Sequence, residues 1–147
     1  YEKKGGKMNF VNLITSIFLI ICALFDIKTK KIPLAAIIFF LIFTFLYKLG
    51  SGSLQMEGIV RDIAPGILLL VVAFATGESI GYGDGYIITI LGLLVGIQLS
   101  VIVLSLAVIL AGLFSGIKII FFHADRKEKM AFVPFLLSAW GVVLIGI

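Results

Sequence analysis

Tyr86-Ile-Ile-Thr-Ile-Leu-Gly-Leu-Leu-Val-Gly-Ile-Gln-Leu-Ser100 decides how many helices this chain forms, because the apolar run it opens continues to Phe122. A membrane-crossing helix takes about 20 mostly apolar residues. Residues 86–122 are too many for one such span and too few for two generous ones with a long loop. The polar pair Gln98 and Ser100 marks the expected break, which gives spans over about 85–97 and 101–122. Outward from there, the same reading places spans over about 9–25, 33–49, 59–76 and from 131 to the end. The expected fold is therefore an all-α polytopic membrane protein with six transmembrane helices. Pro33 suits the first turn of the second span, where a missing N–H costs nothing.

Composition agrees. Of 147 residues, 61% are hydrophobic and 14% charged, with mean hydropathy +1.24. A soluble domain carries about 25% charged residues. This chain has too little polar surface to face water, so lipid must be its main solvent. The net charge of +4 reflects loop lysines rather than a nucleic-acid footprint, since no basic face interleaves with the aromatics. Cys22 is the single cysteine, so neither an internal disulfide nor a Cys-based zinc site is expected. No metal or cofactor is expected. Residues 1–7 read as an expression remnant ahead of an initiator Met8, leaving 8–147 as one six-helix domain.

Loops 1–2, 3–4 and 5–6 share one side. That side collects Lys28, Lys30, Lys31, Lys118, Arg126, Lys127 and Lys129, against Lys48 and Arg61 opposite, with Lys3, Lys4 and Lys7 added if the leader is native. The excess places the first side in the cytoplasm.

Asp26 ends the first span and Asp84 begins the fourth. Two spans lie between them, so both carboxylates return to one face. A carboxylate at the edge of hydrocarbon is costly and is a functional hypothesis by default. Two held close cannot both ionise easily, which supplies an acid and a base together. The structural alternative is that Asp26 caps the second span or pairs with Lys28 or Lys30. The remaining acids have plainer readings: Asp125 and Glu128 in a solvated loop, Asp62 in an interfacial pair with Arg61, Glu57 in a polar linker, and Glu78 in the glycine-rich loop.

That loop, Gly77-Glu-Ser-Ile-Gly-Tyr-Gly-Asp-Gly85, admits two sharp readings. Ser79-Ile-Gly-Tyr-Gly-Asp84 is similar to a potassium-channel filter, whose carbonyls replace ion hydration. A filter follows a short re-entrant helix, however, whereas residues 59–76 are long enough to cross, and a channel leaves Asp26 without a role. The other reading is a Gly-x-Gly-Asp protease signature, whose glycines accept positive φ and let backbone approach a substrate closely. Asp26-Ile-Lys-Thr-Lys-Lys-Ile-Pro33 resembles the Asp…Arg/Lys-Ile-Pro segment of type IV prepilin peptidases. Gly81-Tyr-Gly-Asp-Gly-Tyr-Ile-Ile-Thr-Ile-Leu-Gly92 resembles their Gly-x-Gly-Asp helix, and Ala131-Phe-Val-Pro-Phe-Leu136 resembles, loosely, their C-terminal Pro-Phe region.

The resemblance implies a six-helix aspartyl endopeptidase with catalytic Asp26 and Asp84, an active-site loop of Gly81, Gly83 and Gly85, and supporting Ile32, Pro33, Pro134 and Phe135. The implied partner is a prepilin or pseudopilin, cut after the glycine that ends a short basic leader. The implied place is a bacterial inner (plasma) membrane, with the site facing the cytoplasm. Leu34 stands where the family usually has Asn, and Tyr86 where it usually has Lys. The paired Cys-x-x-Cys insertion of larger members, linked to methyl transfer, is missing. The chain thus resembles the short, peptidase-only form of Flp/Tad-type pili. A non-catalytic membrane scaffold is the third alternative. Gly92, Gly96, Gly112 and Gly116 form two small-x-x-x-small patterns, suited to close helix contact within the chain or in a homodimer. Trp140 reads as a packing or interfacial residue, and His123 as interfacial.

Overall fold

A computed structural model of the chain describes residues 5–77, 81–123 and 130–146. Glu78, Ser79, Asp125 and Glu128 lie outside the described residues, as does the basic run around them in the 5–6 loop. Six helices follow one another: α1 (Gly5–Thr29), α2 (Leu34–Gly50), α3 (Met56–Ala75), α4 (Tyr82–Val95), α5 (Ile97–Phe122) and α6 (Val133–Gly146). No strand occurs among the described residues. Three stretches are long and apolar enough to cross a membrane: Phe10–Thr29, Met56–Ala75 and Ile97–Phe122. α2, α4 and α6 are equally apolar but have only 17, 14 and 14 residues. At a rise of 1.5 Å per residue, the last two extend about 21 Å.

Successive helices alternate in direction. The start of α6 meets the end of α1 through Val133 and Asp26, while the end of α2 meets the start of α3 through Lys48 and Asp62. One end of the bundle therefore gathers Asp26, Ile32, Gly83 and Val133, and the other gathers Lys48, Asp62 and Ile97. Between them Phe18, Leu19, Ile87, Ile88, Leu91, Leu136 and Trp140 form a continuous buried core. Trp140 is a packing residue: its indole N–H donates to Ser16 Oγ at 3.0 Å. The outward surface is apolar as well, with Phe39, Phe74, Phe121 and Phe122 exposed, as expected where lipid is the solvent. Buried Thr15 and Thr44 return their hydroxyls to carbonyls one turn back, on Val11 and Phe40, so neither is left unpaired in an apolar setting.

α1, α3 and α4 begin three or four residues earlier than the sequence reading placed them, at Gly5, Met56 and Tyr82, and two further boundaries differ in ways that bear on the site. The break between α4 and α5 falls at Gly96, not at Gln98–Ser100. Gly96 takes φ +87, a backbone state that side-chain-bearing residues rarely adopt. Gln98 and Ser100 fit inside α5 because Gln98 is exposed and the Ser100 hydroxyl donates to the Ile97 carbonyl at 2.9 Å. α1, in turn, does not stop at Phe25. It continues one turn through Asp26 and closes with the Lys30 N–H on the Asp26 carbonyl at 2.8 Å. The charged segment after span 1 is thus split: Asp26 sits on the buried face of a helix, while Lys28, Lys30 and Lys31 are exposed.

Candidate functional site

Helix periodicity explains why Asp26 is buried among exposed lysines. Cys22 and Ala23 lie about one turn before it on α1, face inward and are buried, and Asp26 continues that stripe. The residue is 7% exposed, and its carboxylate accepts the backbone N–H of Val133 at 3.0 Å, with the Phe132 amide beside it. Val133 opens α6, and the next residue, Pro134, has no N–H to offer. Asp26 therefore caps a helix, though not α2 as the structural alternative had it: α2 starts after Pro33 with no side-chain cap. The cap makes a carboxylate partner of α6's positive end.

Asp84 lies in the first turn of α4, half-buried, with its N–H on the Gly81 carbonyl at 3.1 Å. Among the described residues no hydrogen-bond donor reaches its carboxylate, and it stands within electrostatic reach of Asp26. The two acids that span counting put at one face thus lie at the same end of the bundle.

The glycines around Asp84 serve proximity rather than unusual torsion. Gly81 has φ −65, and neither Gly83 nor Gly85 has positive φ, contrary to the expected use of that freedom. A Cβ on Gly83 would come within 2.6 Å of Ile32 Cδ1, and one on Gly85 within 2.6 Å of Leu70 Cδ2. Gly83 is the place where the Ile-Pro segment meets the Gly-x-Gly-Asp turn. Two motifs about fifty residues apart in the chain become one contact. Pro33, at φ −68, turns the chain out of that contact into α2. On the other flank Phe135 packs in a tilted contact against Phe114 of α5, with ring centroids 5.4 Å apart, holding the start of α6 near Asp26. Leu34 and Tyr86, the two departures from the expected pattern, are both exposed at this end.

The Gly83–Ile32 contact makes a coupled prediction. Gly83→Ala is expected to lower activity about tenfold by pushing the two segments apart. Ile32→Ala in the same chain should recover part of that loss, since residues in contact show interaction energies of about 0.5–3 kcal/mol. Additive single effects in a double-mutant cycle would refute the contact.

The helical state of Tyr82, Gly83 and Asp84 also bears on the filter-like reading. Their carbonyls enter the ladder of α4 and do not line a path, and the preceding helix is the 20-residue α3. Comparison with known families decides between the readings: the sequence profile of the type IV leader peptidase family matches residues 13–116, more than two thirds of the chain. The chain belongs to the type IV leader peptidase family. The matched stretch contains Asp26, the Ile32–Pro33 segment and the Gly81–Gly85 turn, and ends before Pro134 and Phe135. Comparison with curated proteins and with solved structures returned no match. As a member of this family, the chain has a peptidase role, and its long apolar helices make it a membrane protein.

The sequence reading gave Asp62 to a pair with Arg61. That pair exists at 3.8 Å, but Arg61 is largely exposed. The stronger partners are Lys48, at 3.1 Å, and the Ile97 N–H, at 3.3 Å. The partnership of Val133 with Asp26 was also missed. No local pattern announces a backbone donor 107 residues away.

Proposed function

We propose that the chain is a six-span aspartyl endopeptidase that removes the short basic leader of a prepilin or pseudopilin at the cytoplasmic membrane face. The observation that carries this reading is the placement of Asp26 and Asp84 at one end of the bundle, on the two segments that the family match includes. In the proposed reaction the pair shares one proton and holds a water. The ionised member takes the water's proton as oxygen attacks the scissile carbonyl, and the protonated member delivers its proton to the leaving nitrogen.

The geometry supplies the supports for this chemistry. Val133 holds the Asp26 carboxylate with a backbone N–H donor, and Ile32 against Gly83 fixes the turn that carries Asp84. Exposed Lys28, Lys30 and Lys31 ring the same end. Their charge matches that of a basic leader, so they are proposed to anchor the loop at anionic headgroups rather than to bind substrate. The reaction needs no methyl transfer, and the peptidase-only form is part of the proposal.

The test uses the full chain in proteoliposomes with a peptide carrying a basic leader, a glycine and an apolar helix. Mass spectrometry should find two products divided after the glycine. An intact peptide, together with potassium flux abolished by Tyr82→Ala, would replace the peptidase reading with the channel one. An intact peptide without flux leaves the scaffold.

A further inference from the structure

At the end of the bundle away from Asp26 and Asp84, one buried carboxylate joins three helices and abuts a fourth. Asp62, in the second turn of α3, is 6% exposed. Its Oδ2 pairs with Lys48 Nζ from the last turn of α2 at 3.1 Å. Its Oδ1 accepts the N–H of Ile97, the first residue of α5, at 3.3 Å. Its own carbonyl oxygen lies against Gly92 of α4 so closely that a Cβ there would collide with it. Lys48 is itself largely buried, its side chain 14% exposed.

An arrangement this costly needs a reason. A buried ion pair contributes little net stability compared with apolar residues of the same size, because both charges lose their water. Its better-attested use is to fix one geometry among several. Here the geometry at stake is that of α4. α4 is a short rod that carries Asp84 in its first turn and ends at Gly96, whose φ of +87 sets the turn into α5. Along its length α4 lies on α3 through glycine contacts that allow close approach: Gly85 against Leu70, Gly66 against Thr89, and Gly92 against Asp62. Leu70 and Thr89 enter the gaps that these glycines leave and seat α4 closely on α3. At the junction itself the groups that fix the start of α5 are polar ones, the Asp62 bonds to Ile97 and Lys48. From Asp84 to Val95 a helix spans about 17 Å. Because a helix is stiff over that length, a shift at Gly96 reaches Asp84.

We infer that Asp62, clamped by Lys48, is a positioning residue that sets the register of α4, and so the placement of Asp84, from the opposite end of the bundle. The inference rests on the proposed role of Asp84. Asp62 touches no substrate in this scheme. It acts through the α4–α5 junction, and its loss shows in turnover rather than in substrate binding, because a displacement of about 1 Å at the reacting groups costs about a hundredfold in rate.

The experiment compares the wild-type chain with Asp62→Ala, Asp62→Asn and Asp62→Glu in proteoliposomes, measuring kcat and KM for the leader peptide. Trp140 fluorescence reports the folded fraction, since Trp140 packs on α1 through Ser16, away from Asp62. Expected for Asp62→Ala is a fall in kcat per folded molecule of about a hundredfold, with KM within about twofold. Asp62→Asn keeps an oxygen for Ile97 but loses the charge facing Lys48, and should fall about tenfold. Asp62→Glu should recover most of the rate. Losses that track the folded fraction, with kcat per folded molecule unchanged, overturn the inference and leave Asp62 a structural residue. If Asp62→Ala does not fold, Asp62→Asn decides by the same ratio. Failure of the wild-type chain to cut the peptide would strike the proposed function instead, so the two failures are distinguishable.

Discussion

Asp84→Asn and Asp26→Asn are each expected to reduce leader cleavage by about a thousandfold or more, while both proteins still insert and fold. General acid–base catalysis is worth about 10²–10⁴ in rate for a single group. In a pair that shares a proton, removing either member removes both functions, so the double variant should be hardly worse than each single one. The two positions separate when replaced by alanine. Asp84 accepts no hydrogen bond among the described residues, so Asp84→Ala should match Asp84→Asn in stability. Asp26 accepts the Val133 N–H inside the protein, and asparagine retains an oxygen for that bond. Asp26→Ala leaves the donor without a partner, at a cost of about 1–3 kcal/mol. Thermal unfolding in detergent should therefore rank wild type and Asp26→Asn together, above Asp26→Ala. Full cleavage by either asparagine variant would end the two-aspartate reading. Equal stability of Asp26→Ala and Asp26→Asn would show that the α6 cap contributes nothing.

This double use of Asp26 shows what could be read from the chain and what could not. Span counting placed Asp26 and Asp84 at one end, because it depends only on how often the chain crosses and not on where each helix begins. The number and order of the six helices follow from the same apolar runs. What sequence does not carry is the partner of a buried group. Asp26 lies beside lysines at 28, 30 and 31, and local reasoning offers those as partners. Helix geometry turns the lysines outward and leaves Asp26 with an amide from the far end of the chain. The same applies to Asp62, whose sequence neighbour Arg61 is the weaker of its two cationic contacts. The break at Gly96 was misplaced for a different reason. Polarity at Gln98 and Ser100 suggests a break, yet a helix absorbs an exposed Gln and a back-bonded Ser easily, whereas a reversal of φ requires the glycine.

Gly92→Ala and Gly112→Ala make the same chemical change in the two small-x-x-x-small patterns and are expected to move stability in opposite directions. At Gly92 the added methyl meets the Asp62 carbonyl, a backbone atom that no rotamer change can move aside. α3 and α4 must separate, and overpacking of this kind costs about 1–3 kcal/mol. Cleavage should fall with it, because α4 carries Asp84. At Gly112 nothing lies within 4 Å of the added atom. There the intrinsic preference of a helix for alanine over glycine is unopposed, and a gain approaching about 1 kcal/mol is expected, with activity unchanged. Unfolding midpoints of the two variants in one detergent give the comparison directly, and a stabilising shift for Gly92→Ala would contradict the packing described for Gly92. The pair also tests association between copies. If two chains packed through Gly112 and Gly116 of α5, the methyl at Gly112 would be resisted by the neighbour. Its effect would then turn destabilising and grow with protein concentration, whereas the effect at Gly92, buried within a single chain, would not depend on concentration at all.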